Sequence, residues 1–271
     1  LRDIADQVFR EAVLPSAVLP TGFGSLDILL DGGLRGGEVM VLAARPRVGK
    51  SAWALQMILH VADSVPVGLW SLEMGEQAWV RRAVASISGV PHHQLRTGIG
   101  GEVLSEAEFL RVEHVIREVG RLPLHFAIAA SDPDSFRKEA TAMVAELGVG
   151  LLVIDYLQLM SPPLGAYSRE NEVAATSRAI KLTARDLDVP VLLLAQLNRT
   201  AEDKQPTLSN LRESGAIEQD ADEVLFLHRE RDPETKILSN AGWAILEKNR
   251  DGEAGSFPFT FEGQFLRFAC R

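Results

Sequence analysis

Residues 44–51 carry the residue types of a phosphate-binding loop. They read Ala-Arg-Pro-Arg-Val-Gly-Lys-Ser and lie between an apolar run typical of a strand and a run typical of a helix. In such a loop, backbone N–H groups and the positive end of the helix dipole face an anion. Lys50 can then reach the outer phosphates of a nucleotide, and the Ser51 hydroxyl suits one ligand position on Mg²⁺. Ala44 stands where the pattern G-x-x-x-x-G-K-S/T has its first glycine, which is the one departure from that pattern.

Three further strand-like runs end in polar side chains that suit nucleotide chemistry. Asp155 ends the apolar run 151–155, Glu73 follows the run 67–72, and Gln196 ends a third run. Because parallel sheets bind ligands at the carboxyl edge of their strands, we expect these side chains near the phosphate loop. Asp155 would there hold Mg²⁺, and Glu73 would polarise the water that attacks the γ-phosphate. Gln196 would hydrogen-bond the γ-phosphate or that water.

Two later polar segments suit a phosphate-rich partner. Lys248 and Arg250 close a strand at a hairpin, where they form either a phosphate clamp or a solvated tip. An Arg supplied there across a subunit boundary would act as an arginine finger. The segment 211–222 is a polar loop running into a helix, in which Arg212 and a glycine make a cradle for a nucleic-acid phosphate. It has no interleaved aromatic residues, so base stacking is not indicated.

Composition and charge narrow the class of protein. The 271 residues are 46% hydrophobic, which is ample for a core, and no stretch of about 18 uncharged apolar residues is present to span a bilayer. The first residues lack the features of a signal peptide, and a single cysteine, Cys270, rules out an intrachain disulfide. These features predict a cytoplasmic enzyme with no membrane segment. The net charge of −9 argues against a generally basic surface but is compatible with a local cationic groove.

Hydrophobic periodicity predicts an α/β fold. Strand-like runs alternate with helical ones from residue 36 onward, which indicates a mostly parallel twisted sheet flanked by helices. The predicted strands are 38–44, 65–70, 150–155, 189–196 and 224–228, and the predicted helices fall near 75–88, 104–120, 134–148 and 168–188. Antiparallel strands are then predicted at 241–248, 257–261 and 265–268.

The first residues form a separate unit in this prediction. Apolar residues repeat at helical spacing over 1–13, and Pro15 and Pro20 bracket an extended stretch after them. We therefore divide the chain into an amphipathic linker helix with its linker, residues 1–18, and a main domain, residues 19–271. The helix would pack either on its own core or on a neighbouring subunit.

Together these segments resemble a known family, the C-terminal ATPase domain of DnaB-type bacterial replicative helicases, a RecA-like hexameric motor. The similarity runs from about Leu19 to Phe268. It rests on TGFGSLD (21–27), AARPRVGKS (43–51), SLEM (71–74), VIDYLQLM (153–160), QLNR (196–199), LRESGAIEQDAD (211–222) and KNRDG (248–252). Ala44 in place of the first glycine is usual in this family, and Arg47-Val48 replaces the commoner Ser-Met. The resemblance implies a RecA-like P-loop NTPase core.

The resemblance implies a role for each residue around the phosphate loop. ATP would be held by Arg45, Pro46, Arg47, Val48, Gly49, Lys50 and Ser51. Ser51 and Asp155 would bind Mg²⁺, with Asp155 as the Walker B acid, and Glu73 would be the catalytic carboxylate. Gln196 would link the state of the nucleotide to the DNA-binding loops.

The same resemblance implies partners. Lys248 and Arg250 would reach into the ATP site of the adjacent subunit of a homo-hexamer. Arg212, Glu213 and Gly215 would line the central channel and touch the backbone of single-stranded DNA. The chain would use ATP hydrolysis to translocate on that strand and unwind duplex DNA.

The family's N-terminal collar domain, which binds primase, is not contained in these 271 residues. This predicts either a truncated chain or a short variant, and primase and a helicase loader would be partners of a full-length protein. The helix over 1–13 resembles the linker helix that docks on a neighbouring protomer, which favours docking over self-packing.

Two other classes stay open on the sequence. A recombination ATPase of the RecA or RadA kind also carries a Lys-Asn-Arg motif, but the segment 211–222 favours the helicase. A non-catalytic module would bind nucleotide only to assemble. Such a module could lose any of Lys50, Glu73, Asp155 and Arg250, so their retention disfavours it. The six histidines and one cysteine fall in no ligand spacing, which disfavours a metalloenzyme.

Overall fold

The computed structural model of the chain describes residues 18–97, 104–127, 132–155, 169–198 and 205–270. The predicted linker helix over 1–13 lies outside these ranges, as do residues 156–160 and Arg199 of the strand-end motifs. Across the described ranges, no helix has the length and apolar character needed to cross a membrane.

The strands build a twisted sheet that is parallel in its larger part. They are β1 (Val18–Leu19), β2 (Leu34–Arg35), β3 (Val39–Ala44), β4 (Val67–Ser71), β5 (Leu124–Phe126), β6 (Leu151–Asp155), β7 (Val191–Gln196), β8 (Glu223–His228), β9 (Ala241–Asn249), β10 (Gly255–Glu262) and β11 (Arg267–Cys270). The main sheet has the order β11-β10-β9-β8-β3-β7-β6-β4-β5, and β1 and β2 pair separately. The strands from β8 to β5 in that order are parallel, and β9, β10 and β11 continue the sheet antiparallel.

The helices connect these strands and cover the sheet. They are α1 (Gly24–Leu29), α2 (Lys50–Ala62), α3 (Glu76–Ser88), α4 (His92–Thr97), α5 (Glu106–Val119), α6 (Pro133–Leu147), α7 (Arg169–Leu187) and α8 (Gly215–Asp220), with a 3₁₀ segment, Leu208–Ser214, directly before α8. Local sequence explains several starts. Ser105 forms a capping box with Glu108 at α5, and the Asp132 side chain caps α6, which has Pro133 in its first turn.

Alternate residues of β3 point into two cores, because successive side chains of a strand face opposite sides of the sheet. Leu42 packs in the core that contains α2, and Val41 packs in the core that contains α6 and α7. Trp53 of α2 is fully buried, stacks on Phe23 with ring centroids 3.9 Å apart, and meets Phe268 edge to face. The aromatic packing therefore fixes α2, and with it the loop that leads into the helix.

The predicted mostly parallel sheet with flanking helices and C-terminal antiparallel strands is confirmed. One boundary was wrong: the strand predicted at 265–268 begins at Arg267. Residues 263–266 form a turn, in which Leu266 has a positive φ of 55° and Arg267 pairs with Glu262. Hydrophobicity alone did not separate the turn residue from the strand. The short strand β5 was not predicted, because three half-buried residues carry too little periodic signal.

Candidate active site

The carboxyl ends of neighbouring parallel strands bring the predicted catalytic residues to one edge of the sheet. Ala44 at the end of β3 pairs with Gln196 at the end of β7. Ser71 at the end of β4 pairs with Asp155 at the end of β6, and Glu73 lies two residues beyond. Loop 45–49 leaves β3 at this same edge. The arrangement follows from the shared strand direction, which the alternation of strands and helices had predicted.

The loop between β3 and α2 needs glycine at one position and not at another. Gly49 has a φ of +119°, and a Cβ there would lie 2.6 Å from Cζ of Phe268. Glycine is therefore required by both conformation and space. Ala44, in contrast, is the buried last residue of β3 and has no positive φ. This explains why alanine is tolerated where the phosphate-loop pattern has a glycine.

Lys50, Ser51 and Asp155 form the polar centre of the site. The Ser51 hydroxyl donates to Asp155 Oδ2 at 3.2 Å, and Lys50 Nζ lies 3.8 Å from Asp155 Oδ1. Burial lowers the pKa of the Lys50 ammonium, against the pull of Asp155 and Glu73. Burial raises the pKa of the Asp155 carboxyl, and Lys50 opposes that shift. Each charge is thus desolvated and compensated by the other.

The same residues fit a magnesium ion. Asp155 is fully buried, and its Oδ1 has no hydrogen-bond partner among the described residues. An unsatisfied buried oxygen of this kind is costly unless a cation or donor approaches it. Mg²⁺ prefers hard oxygen ligands and retains waters, so Ser51, Asp155 and nucleotide phosphates make a suitable donor set.

Glu73 is held at the site through the turn that follows β4. The Ser71 hydroxyl donates to the Met74 carbonyl at 2.6 Å and accepts from Trp79 Nε1 at 2.7 Å. The Leu72 N–H donates to the Asp155 carbonyl at 2.7 Å. Glu73 itself is exposed, yet its charge acts on both Lys50 and Asp155. A carboxylate so placed can act on a water near the terminal phosphate.

Arg82 of α3 is a site residue that the sequence analysis missed. Burial lowers the pKa of its guanidinium, and Asp155 and Glu73 both oppose that shift. Arg82 therefore lies close enough to both carboxylates to feel their charge. In the sequence it follows Arg81 in a helix, where a pair of arginines is typical of a solvated face. A helical-wheel comparison with buried Trp79 and Ala83 would have been the signal.

Arg229 is a second missed residue. Its guanidinium donates to the carbonyl of Val48 at 3.2 Å and lies over the ring of Phe261, 4.8 Å from the centroid. Arg229 is buried, and burial lowers its pKa. It therefore supports the phosphate loop from β8. The surrounding sequence, His-Arg-Glu-Arg, suggested only a charged strand end.

Gln196 lies where the phosphate loop meets the segment assigned to DNA. It is exposed at the end of β7, and the next residue, Leu197, accepts from Arg45 Nη1 at 3.0 Å. Asn198 donates through its N–H to the carbonyl of Asn210 at 3.2 Å, and Asn210 belongs to the 3₁₀ segment before α8. A short connection thus joins the end of β7 to both elements.

The residues assigned to DNA are only partly described. Arg212 and Glu213 belong to the 3₁₀ segment Leu208–Ser214, but their side chains lie outside the described part of the chain. Gly215 begins α8, is exposed, and has open space where a Cβ would be. The backbone of this turn is therefore accessible.

Arg250 lies at the opposite edge of the sheet from Lys50. Its Nη1 donates to Asp222 Oδ1 at 2.9 Å, and Asp222 Oδ2 accepts from the N–H of Val39, the first residue of β3. The loop that binds phosphate follows the last residue of β3. Since a strand rises about 3.3 Å per residue, the six residues of β3 separate the two by roughly 16 Å. Arg250 cannot reach the phosphate loop of its own chain.

Lys248 lies near Arg250 but is engaged differently. Its Nζ donates to the carbonyls of Glu218 and Ala221, each at 2.6 Å. These are carbonyls at and just after the C-terminal end of α8, where a cation is favourable. Lys248 thus ties β9 to the helix that follows the segment assigned to DNA, whereas the side chain of Arg250 is 56% exposed.

Comparison with known proteins agrees with this geometry. Residues 18–270 match the family model described as DnaB-like helicase C terminal domain. The chain is 35% identical over 257 residues to Replicative DNA helicase DnaB of Treponema pallidum (strain Nichols), covering 93% of this chain and 56% of that protein. It is 37% identical over 262 residues to Replicative DNA helicase DnaB of Leifsonia xyli subsp. xyli, covering 93% and 55%. The chain thus spans a little over half the length of these curated relatives.

Solved structures are similar over the same region. A solved helicase-type ATPase domain superposes with a TM-score of 0.89 at 30% identity, covering 99% of this chain and 97% of that chain. A DnaB-like replicative helicase, whose structure was solved to examine its interactions with primase, superposes with a TM-score of 0.87 at 30% identity, covering 97% and 66%. With the phosphate loop, the strand-end acids and the whole described fold in agreement, this chain belongs to the DnaB-like helicase C-terminal domain family.

Proposed function

We propose that this chain is the motor domain of an ATP-driven replicative DNA helicase. It would hydrolyse ATP at the subunit interfaces of a homo-hexameric ring, translocate on single-stranded DNA and unwind duplex. The observation that carries this proposal is the placement of Lys50 and Arg250 at opposite edges of one sheet. A ring in which each subunit presents one edge to the opposite edge of the next brings the two together.

Within one subunit, the phosphate-loop edge supplies binding and proton transfer. Lys50 and the N–H groups at the start of α2 would hold the outer phosphates of ATP. Ser51 and Asp155 would hold Mg²⁺, which when bound neutralises charge on the phosphates. Glu73 would accept a proton from the attacking water, and Arg82 would add a positive charge beside the carboxylates. Phosphoryl transfer needs little more than such positioning and charge stabilisation.

The neighbouring subunit would supply the remaining charge. Arg250 is exposed and planar, and its unused N–H donors suit a phosphate oxygen. Lys248 is already hydrogen-bonded to α8, which supports a different assignment for the two cations. We propose that Arg250 is the finger and that Lys248 ties the finger strand to the DNA segment.

A continuous set of contacts supports coupling between ATP and DNA. Asn198, two residues after Gln196, contacts the 3₁₀ segment that precedes α8, and Lys248 holds the other end of α8. A change at the terminal phosphate would then move the turn around Gly215. Contacts there to the DNA backbone, together with Arg212 and Glu213, would make binding independent of sequence and sensitive to salt.

The wider setting follows from the same proposal. Single-stranded DNA and identical subunits would be the partners of this domain, and primase and a helicase loader those of a full-length protein. The domain would work in the cytoplasm, where the chromosome and ATP are found together.

A recombination ATPase and a nucleotide-dependent assembly module are the alternatives. The family assignment supports the helicase over the first. The compensated Lys50–Asp155 pair and the positioned Glu73 support an active site over the second, because a module that only binds nucleotide needs no catalytic carboxylate.

Steady-state ATP hydrolysis, with and without single-stranded DNA, tests the proposal beside sedimentation at the same protein concentration. We expect DNA-stimulated hydrolysis by a ring-sized species. Arg250→Ala should lower turnover by about 10³-fold, since arginine fingers contribute that much in related enzymes. Arg267→Ala, which removes an exposed arginine paired with Glu262 on β11, is the matched control. Near-normal turnover by Arg250→Ala, or hydrolysis by a monomer, would contradict shared sites.

A further inference from the structure

Asp222 is a buried carboxylate at the amino end of β3, between the strand and Arg250. It is 2% exposed. Oδ1 accepts from Arg250 Nη1 at 2.9 Å, while Oδ2 accepts from Lys181 Nζ at 2.5 Å and from the Val39 N–H at 2.8 Å. Its backbone takes part as well, since its N–H donates to the Val39 carbonyl and its carbonyl accepts from the Arg250 N–H, both at 3.0 Å.

We infer that Asp222 is the positioning residue of the arginine finger: it holds the Arg250 guanidinium at the subunit surface in the orientation that the neighbouring ATP site requires. This inference rests on the proposed function, because it assigns a task to a residue that acts through Arg250. The task is in trans, at the neighbour's phosphate, although Asp222 is bonded to β3 of its own chain.

The geometry favours holding the arginine in place over burying it. Arg250 is fixed at its backbone N–H and at one terminal nitrogen, yet its side chain stays 56% exposed. A guanidinium has five N–H donors, so the contact with one carboxylate oxygen leaves others for a phosphate. An unrestrained arginine loses rotamer freedom on binding, whereas one already held by a charged hydrogen bond loses less.

Lys181 keeps the arrangement stable when Arg250 engages a phosphate. Lys181 donates to Asp222 and also to the Gly37 carbonyl, at 2.9 Å. The buried carboxylate therefore retains a cationic partner even while Arg250 shares its donors with the neighbour. A buried charge with no partner would be strongly destabilising, so the second cation lets the first be used for function.

The contact also connects the two edges of one subunit. Asp222 and Val39 exchange hydrogen bonds at one end of β3, and the phosphate loop begins at the other end. The finger offered to one neighbour is thereby anchored to the strand that carries the subunit's own phosphate loop.

Mixing two inactive variants tests the inference in the assembled protein without DNA. Asp222→Asn keeps its own phosphate loop but loses the charge that holds Arg250, and we expect turnover to fall about 10- to 100-fold, as for a catalytic group displaced by a fraction of an ångström to an ångström. Nucleotide affinity, measured with a fluorescent ATP analogue, should stay within about twofold. Lys50→Ala is dead at its own loop but carries an intact finger.

With Lys50→Ala in excess, each Asp222→Asn loop meets an intact Arg250, so turnover per Asp222→Asn subunit should rise at least about fivefold above that of Asp222→Asn alone. Arg250→Ala mixed with Lys50→Ala calibrates the same rise. If Arg250→Ala is rescued and Asp222→Asn is not, Asp222 acts only within its own subunit and the inference is overturned. If neither is rescued, the shared-site proposal itself fails, and the inference fails with it. Unchanged turnover by Asp222→Asn alone would also overturn it.

Lys181→Met separates finger positioning from stability, in case Asp222→Asn folds poorly. This change removes the other cation from Asp222 and leaves the contact with Arg250. We expect a lower thermal midpoint but turnover within about twofold of the parent chain, with no gain on mixing. A loss of turnover as large as that of Asp222→Asn would mean that general stability, and not the hold on Arg250, sets the rate.

Discussion

The Ser51 hydroxyl donates a 3.2 Å hydrogen bond to Asp155 Oδ2, although the two residues lie 104 positions apart in the chain. The bond joins the first turn of α2 to the end of β6, and Lys50 approaches the other carboxylate oxygen. Oxygen ligands for a cation and a positive charge for the phosphates are thus assembled from two elements.

Replacing Asp155 with asparagine tests the magnesium assignment. We expect Mg²⁺-dependent hydrolysis to fall at least about 100-fold, because the ligand loses its charge. The thermal midpoint should hold or rise, since burial of the Asp155 carboxyl is costly and raises its pKa. Steady-state kinetics against Mg²⁺ and thermal denaturation measure the two effects. Asp63→Asn, at the exposed end of α2, is the control, and equal turnover in both variants would remove Asp155 from the site.

Arg82→Gln tests the cation that lies near the two carboxylates. We expect kcat to fall about tenfold, because a preorganised positive charge near the developing charge of the reaction is lost. Arg81→Gln changes the adjacent arginine of the same helix and should keep kcat within about twofold. Both variants are compared by steady-state hydrolysis at saturating ATP. Equal losses would show that the helix surface, and not the site, depends on these arginines.

Gly49→Ala tests the shape of the phosphate loop. The added Cβ would meet Phe268 at 2.6 Å in a backbone conformation of positive φ, so we expect loss of at least about 1 kcal/mol of stability and of nucleotide binding. Thermal denaturation and binding of a fluorescent ATP analogue report these effects. Gly24→Ala, in α1 with nothing within 4 Å of the new Cβ, should be neutral or slightly stabilising. A stable Gly49→Ala variant that binds nucleotide normally would contradict the argument.

Glu223→Gln tests a pH dependence at the amino edge of the sheet. Burial, with the nearby charge of Glu38, raises the pKa of Glu223 to about 9 from a reference of 4.5. The fold therefore keeps a proton that the unfolded chain releases, and stability falls as pH rises between these values. Glutamine needs no proton, so the variant should gain at least about 3 °C on the parent chain between about pH 5 and about pH 8.5, or about 1 kcal/mol.

Thermal denaturation at several pH values measures this gain. Glu253→Gln, in the exposed turn between β9 and β10, is the control and should follow the parent chain at every pH. If Glu223→Gln instead lost stability in parallel with the parent chain as pH rises, the proton would not reside on Glu223.

The sequence by itself determined the sheet and the residues at its carboxyl edge. Strands that alternate with helices must run parallel, so Asp155, Glu73 and Gln196, each at or just after a strand end, were bound to gather beside the loop that holds Lys50. The glycine of that loop was equally readable, because a tight turn into a helix needs a positive φ. Turn residues such as Leu266 were not readable, since an apolar side chain there looks like part of a strand.

Only the tertiary structure decided how the other charged residues are used. Arg82 and Arg229 look like surface arginines until packing brings them to the acids and the phosphate loop. Arg250 could have served either edge, and its bond to Asp222 places it far from its own Lys50. Asp222 meets Val39 across 183 positions, and its meaning depends on that meeting. Local patterns specify strands and helices, whereas which charges share a buried space is set by contacts between residues that are distant in the chain.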